Sequence, residues 1–400
     1  MRTTENKRLI ESIINDAEVR KKITKESHEY FLPIYLGNYM QYPNAPFHDE
    51  MIRVTEDEDE TLSVIVAFRG SAKSTIFSLS YPIWSILGKQ EKKFVLILSQ
   101  TQIQARQILS NIKSEMENNN LLKDDLGPFE EPDDEWRSTS IVIPKYGARI
   151  MVASTEQSIR GIRHKSHRPD LIIFDDIEDL SSTKTIESRD KTFRWLSGEV
   201  LPAGDLNTKV VVIGNLVHED SVIMRLKNKI EKKEINGEFY SYPIMDDEGE
   251  SLWPGKFPDK ESLKREEMRV LNLQAWFREY LLKIIPEDGQ IIEREWIRYY
   301  EKIPDIKSES YLGTIIAIDP ASSLKPTADY TAMVALSVFD IDEERKIYIH
   351  RQIINERMTP FTTAQKAKDL LNSVGKIHST KFIVEGNGYQ VSLAEALTRE

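Results

Sequence analysis

The sequence contains no cysteine, which removes disulfide frameworks and thiolate metal centres from consideration. It has no apolar run approaching the ~20 residues that a membrane helix needs. The opening residues, Met-Arg-Thr-Thr-Glu-Asn-Lys, lack the apolar core of a secretion signal, so the chain reads as intracellular. Positive charge is not in excess either. The formal net charge of −11 argues against wholesale coating of nucleic acid. It leaves room for a local basic track and for acidic sites that hold metal ions. No internal repeat is visible, and 400 residues suffice for two domains with separate cores.

What is present is organised around residues 61–75. The apolar, β-branched run from Leu62 to Ala67 predicts a buried strand, and a helical pattern begins at Lys73 after a small-residue turn. A strand, a tight loop and Lys-Ser at a helix start form the layout of a phosphate-binding loop. In that layout the backbone of Gly70, Ser71, Ala72 and the first helical residues, through Thr75, faces the phosphates. Lys73 reaches the β/γ oxygens and the Ser74 hydroxyl ligands Mg²⁺. The glycine positions of G-x-x-x-x-G-K-[ST] fall on Ala67 and Ala72, so the same stretch also suits an ordinary strand, turn and helix.

Around this centre the chain alternates. Residues 5–40 read as helical, followed by a short helical pattern after Pro46 and an acidic turn from Glu56 to Glu60. Phe94–Leu98 predicts a strand and Gln100–Asn118 an amphipathic helix. Ser140–Ile143 and Ala148–Val152 suggest a hairpin, and Leu171–Phe174 and Lys209–Ile213 read as further strands. Uniformly apolar strands alternating with helices predict a mostly parallel sheet covered on both faces. Residues 244–295 are broken by Pro and Gly around one helix centred on Leu271–Leu282. A second α/β unit opens at Thr314–Asp319, with strands at Thr331–Phe339, Lys346–His350 and Lys381–Val384 and a helix over Phe361–Val374.

Several constellations could carry chemistry. Leu171–Phe174 ends on Asp175 and Asp176, where a carboxylate beside a phosphate loop holds the Mg²⁺ shell and the next acid activates water. Glu178 and Asp179 lie close enough to substitute for the second acid. Asn215, after the Val210–Gly214 strand, suits either a water contact or a turn. Phe47 and His48 could flank an adenine ring, and a core role suits the phenylalanine equally. Arg160, Arg163, Lys165 and Arg168, with His164 and His167, form a basic cluster for DNA backbone or for a neighbouring subunit's ATP. In the second unit Asp319 and Glu385 end two strands, as two-metal phosphodiester hydrolysis requires, with Asp329 and Asp340 as further acids.

In order and spacing these segments resemble the large terminase subunit of tailed bacteriophages. The matching stretches are Ala-Pro-Phe47-His48, Phe68–Thr75, Arg160–Arg163 running to Arg168–Asp176, Leu252-Trp-Pro254, Ile318–Ala321 with Asp329-Tyr330, and Val384–Gly386. The resemblance implies an α/β protein with an ASCE-type P-loop ATPase sheet, followed by a ribonuclease-H-like mixed-sheet nuclease domain. Residues 1–245 would form the ATPase, 246–305 a linker region with one helix, and 306–400 the nuclease. Carried over, Lys73, Ser74 and Asp175 bind phosphate and Mg²⁺, and Arg69 is the arginine that turns toward the γ-phosphate. Asn215 takes the coupling position, and Asp319 and Glu385 are two nuclease acids. ATP and Mg²⁺ are the implied cofactors, with Mn²⁺ as an alternative at the nuclease site. Double-stranded viral DNA, the portal protein of the procapsid, the small terminase subunit and a homo-oligomeric ring are the implied partners, in the host cytoplasm.

Two departures from the family pattern stand out. The acid after Asp175 is Asp176 where the family has glutamate. The family's third nuclease acid follows the Glu385 strand and is expected beyond Glu400, so weak cleavage or none is expected of this chain. The rivals are a helicase-like repair ATPase without a nuclease and a non-hydrolysing scaffold.

Overall fold

The computed structural model describes residues 15–129, 136–284, 298–320, 330–342, 344–374 and 380–384. The chain divides into two units, Met1–Gly289 and Gln290–Glu400.

In the first unit, α1 (Ala17–Glu26) and α2 (His28–Leu36) are separated at Ser27, whose hydroxyl accepts the Glu29 N–H as a cap. Then come α3 (Pro46–Glu56), with proline in its first turn, and β1 (Leu62–Ala67). A continuous helix follows over 73–87, a π-helical turn Thr75–Ser80 running into α4 (Tyr81–Leu87). Pro82 has no N–H to complete the α-helical ladder, and the helix widens just before it, with the Tyr81 N–H reaching Ile76.

Next are β2 (Phe94–Ser99), α5 (Gln102–Asn118), α6 (Asn120–Leu126) and the antiparallel pair β3 (Ser140–Ile143) and β4 (Ala148–Ser154). The unit continues with β5 (Leu171–Asp175), α7 (Ile186–Trp195), β6 (Lys209–Gly214) and α8 (Val222–Glu231). It closes with β7 (Glu238–Tyr242), α9 (Lys260–Val270) and α10 (Leu273–Glu279).

The seven strands form one sheet in the order β3-β4-β2-β5-β6-β1-β7, parallel except for the β3 edge. Successive residues of β1 serve opposite layers: Ile65 and Ala67 join the core beneath α2–α5, and Val64 and Val66 join the one beneath α8. This is the doubly covered parallel sheet that the apolar runs predict. Lys209, at the start of β6, is buried and donates to the Val54 and Glu60 carbonyls at 2.7 and 3.1 Å and to that of Asp57. Its ammonium thereby ties the end of α3 to the sheet.

Sequence and structure part company after residue 245. Among its described residues the expected linker with one helix carries two, and they are separated where Leu271 adopts a left-handed backbone (φ 56°). Trp253, Phe257, Leu263, Trp276 and Tyr280 all lie in the first unit's core. The described prolines and glycines of this stretch, up to residue 284, therefore punctuate packed structure instead of a spacer. β7 also escaped the sequence pattern, because its Glu-Phe-Tyr-Ser-Tyr run is only partly buried at the sheet edge.

The second unit has β8 (Tyr311–Asp319), β9 (Thr331–Ile341), β10 (Glu344–Glu356), α11 (Pro360–Val374) and β11 (Thr380–Val384). The sheet order is β10-β9-β8-β11; the first three strands are antiparallel, and β11 runs parallel to β8. Ile316, Ile318, Met333 and Ala335 pack on Ala367 and Leu370 of α11. Among the described residues no helix is long and apolar enough to cross a membrane.

Candidate functional site

The site forms where β1, β5 and β6 end side by side, which is where ligands gather in an open parallel sheet. β1 gives way to a loop in which Gly70 and Ala72 both have left-handed backbones, φ 77° and 68°. Gly70 takes that conformation freely. Ala72 stands where the common pattern has glycine and carries a strain of about 1 kcal/mol or more. The surrounding protein holds the loop in shape. The Phe68 and Arg69 N–H groups donate to the carbonyls of Tyr242 and Glu279 at 3.0 and 2.8 Å. His48 is buried; its Nδ1 accepts the Ala45 N–H, so its Nε2–H donates to the Ser71 carbonyl, both at 3.0 Å. Burial lowers its pKa to about 4, keeping the ring neutral and this tautomer fixed.

The predicted side chains converge on this loop. Lys73, buried, donates from Nζ to Asn215 Oδ1 at 3.2 Å, and Ser74 donates from Oγ to Asp175 Oδ1 at 3.3 Å. Asp175 sits above the usual carboxylate range because it is buried and faces the charge of Asp176. Asp176 turns left-handed (φ 46°) as the chain leaves β5, its N–H bonded to the Ile213 carbonyl at 3.1 Å. A Cβ on Gly214 would meet Asp176 Oδ1 at 3.3 Å and Ile223 Cδ1 at 2.7 Å, so a larger residue here would require the Ile223 side chain to move. Lys73, Ser74, Asp175, Asp176 and Asn215, distant in sequence, thus form one cluster.

Other predicted residues lie elsewhere. Phe47 is buried among Phe68, Tyr242 and Trp253, with ring centroids 5.9, 5.5 and 6.2 Å away; it is a core residue and does not line the cavity beside the loop. Glu178 accepts the Val222 N–H at 2.7 Å, at the start of α8, and burial pushes its pKa up to about 7. Asp179 is held down at about 2 although burial opposes its charge, because Gln100, Ser181 and Ser182 hydrogen-bond it. His164 and His167 exchange backbone hydrogen bonds, and His164 Nε2 lies 3.2 Å from the Gly147 carbonyl oxygen. Arg160 pairs with Glu199 at 3.5 Å. Arg69 is exposed and held by Glu279, Nη1 to Oε2 at 2.6 Å.

Sequence reasoning missed the residues that reach the loop from downstream. Glu279 and Lys256 meet Arg69 and Gly70 across 210 and 186 residues, and no local spacing announces either contact. A cavity of about 250 Å³ opens beside the loop, lined in part by Tyr39, Tyr42, His48, Gly70, Thr75 and Lys256.

In the second unit Asp319 is exposed at the end of β8, and β11 pairs in register with β8 as far as Val384 opposite Ile318. Glu385 and Asp329 lie outside the described residues. Asp340 is near the far end of β9, opposite Arg345, whereas Asp319 pairs with Ala332 at the other end. Asp340 is thereby removed from the set of converging acids. Among the described residues no three His, Cys, Asp or Glu side chains gather as a metal site.

By sequence, no family model and no curated protein matches the chain. By structure, the large terminase of a thermophilic bacteriophage is similar over 89% of this chain and 80% of that one, at 12% identity and a TM-score of 0.42. The HK97 bacteriophage large terminase is similar over 89% and 73%, at 13% identity and a TM-score of 0.42. The ATPase domain of the Thermus phage P74-26 large terminase is similar over 65% of this chain and all of that one, at 14% identity and a TM-score of 0.42. The chain is thus an α/β protein that matches phage large terminases in structure, at low sequence identity.

Proposed function

We propose that the first unit is an ASCE-type P-loop ATPase, and that the chain is the motor subunit that packages double-stranded viral DNA. The observation that supports this reading is the convergence of Lys73, Ser74, Asp175, Asp176 and Asn215 on one loop, with Ser74 donating to Asp175 and Lys73 to Asn215. β6 lies between the strand that leads into the loop and the strand that carries the acids, as the ASCE reading requires.

The residues present fit a nucleotide and a hard divalent cation. Ser74 Oγ and the Asp175 carboxylate are oxygen donors, and burial with the adjacent charge of Asp176 raises the Asp175 pKa, an effect that a bound cation would offset. Mg²⁺, when bound by Ser74 and Asp175, would neutralise charge on the transferred phosphoryl group. Lys73 would leave the Asn215 amide for the β/γ oxygens, freeing Asn215 to report their presence. Asp176 would orient water; what favours it over Glu178 is that one Glu178 carboxylate oxygen accepts the Val222 N–H at the start of α8. Arg69 would exchange Glu279 for the γ-phosphate, passing the nucleotide state to α10.

For the second unit we propose a ribonuclease-H-like nuclease. The mixed β10-β9-β8-β11 sheet and Asp319 at a strand end support it. Cleavage of concatemeric DNA, and docking with a portal and a small subunit, belong to the same proposal. ATP turnover by the whole chain and its Lys73→Ala variant, with and without double-stranded DNA, tests the motor half. Turnover should fall about 100-fold or more in the variant. Full turnover by Lys73→Ala would refute the assignment.

A further inference from the structure

Lys256 lies in the turn between Trp253 and α9, half-buried, and its surroundings pose an electrostatic problem. Its Nζ donates to the Gly70 carbonyl at 2.8 Å and sits 4.9 Å from the Trp253 ring centroid, 5.4 Å from Phe257 and 6.0 Å from Tyr42. A carbonyl dipole and three aromatic faces stabilise an ammonium but do not neutralise it. The acid whose charge acts on it, Glu266, is already engaged: Arg269 binds both its oxygens and the Tyr280 hydroxyl donates to Oε1. Among the described residues no carboxylate pairs with Lys256, and burial lowers its pKa. The same ammonium borders the cavity beside the phosphate loop. A half-buried cation with no carboxylate partner among the described residues, on the wall of an open cavity, is placed to receive an anion.

We propose that Lys256 is a second nucleotide-binding cation, whose ammonium pairs with an anionic oxygen of the bound nucleotide in the cavity that Tyr39 and Tyr42 also line. The inference rests on the nucleotide reading of the Lys73 loop and adds to it a charge supplied from nearly two hundred residues downstream. On nucleotide binding the ammonium turns from the Gly70 carbonyl toward the phosphates, and the neighbouring aromatic rings direct it. The turn before α9 then follows occupancy of the site.

The test is equilibrium binding of fluorescently labelled ATP, with Mg²⁺, to the full chain and to its Lys73→Ala, Lys256→Met, Lys256→Gln and Lys256→Arg variants. Thermal unfolding verifies that each is folded. The expected result is a loss of about tenfold in affinity for Lys256→Met and Lys256→Gln, with Lys256→Arg close to wild type. Glutamine can still donate to Gly70 but carries no charge, so affinity restored by Lys256→Gln would overturn the proposal by reducing Lys256 to a brace for the loop. Wild-type affinity in Lys256→Met would overturn it as well. Should the methionine variant fail to fold, the Gln and Arg pair decides on the same criterion. Binding that is absent in the wild type, or indifferent to Lys73→Ala, would instead overturn the nucleotide reading itself.

Discussion

The two sheets solve different problems. In the first, β1, β2, β5 and β6 are apolar almost throughout and buried on both faces, so the ends of rigid strands fix the site residues. In the second, β8 and β9 alternate buried and half-buried positions, and β10 leaves Ile347, Ile349 and Ile353 exposed at 63, 48 and 60%. The first sheet assembles a five-residue cluster from three adjacent strand ends. The second presents the exposed Asp319 at the end of β8, a strand that packs on α11. A doubly covered sheet can bury a lysine and a carboxylate next to each other. Among the described residues the second sheet is packed by α11 alone, and its strand-end Asp319 is exposed.

The largest test of this contrast is chemical. Asp175→Asn should remove ATP turnover by about 100-fold or more, whereas Asp319→Asn should leave it unchanged in the same assay. Loss of turnover in both would mean that the second sheet contributes to ATP hydrolysis. The next is mechanical. Ile173→Ala, in the fully buried β5, should cost about 2–5 kcal/mol of stability. Ile349→Ala, exposed on β10, should cost no more than about 0.5 kcal/mol. Denaturant unfolding followed in each variant would reveal equal costs if the second sheet were as enclosed as the first.

The smallest is a pH effect on the first unit. His28 is fully buried between Thr55 and Ser80, 2.7 Å from each hydroxyl oxygen, with its pKa lowered to about 3. Thr55 donates to the Ile52 carbonyl and therefore accepts from His28 Nδ1–H, leaving Nε2 to accept from Ser80. His48 is lowered to about 4. Both folded-state values lie below the ~6.5 of an unfolded histidine, so the unfolded chain binds more protons as the pH falls through that value. Stability is retained above pH ~6.5 and lost below it, by about 1–2 kcal/mol per histidine between pH 7 and 5. The thermal midpoint should fall over that interval, and less steeply in His28→Gln. An unchanged slope in that variant would assign the acid sensitivity to other groups.

Much of the first site was legible because its determinants are local. A β-branched run ending at Gly70-Ser-Ala-Lys-Ser reports a strand, a tight turn and a helix start, and Leu171–Asp176 reports a buried strand closing on acids. Backbone geometry and hydrophobic periodicity act over a few residues, so neighbouring residues disclose them. Phe47 was ambiguous for the opposite reason. An aromatic beside a loop serves a core or a ligand equally well until its neighbours, Phe68, Tyr242 and Trp253, are known.

By itself the sequence determined the alternation of strands and helices, the strand-loop-helix layout around Lys73 and Ser74, and the acids that close β5. Each follows from residue type and spacing along one stretch of chain. Only the tertiary structure decided that Trp253, Phe257, Leu263, Trp276 and Tyr280 join the first unit's core, that Glu178 accepts the Val222 N–H at the start of α8, and that Glu279 and Lys256 bond the loop. Those outcomes depend on which surfaces meet across some two hundred residues. Burial, pairing and desolvation exist only after the chain has packed.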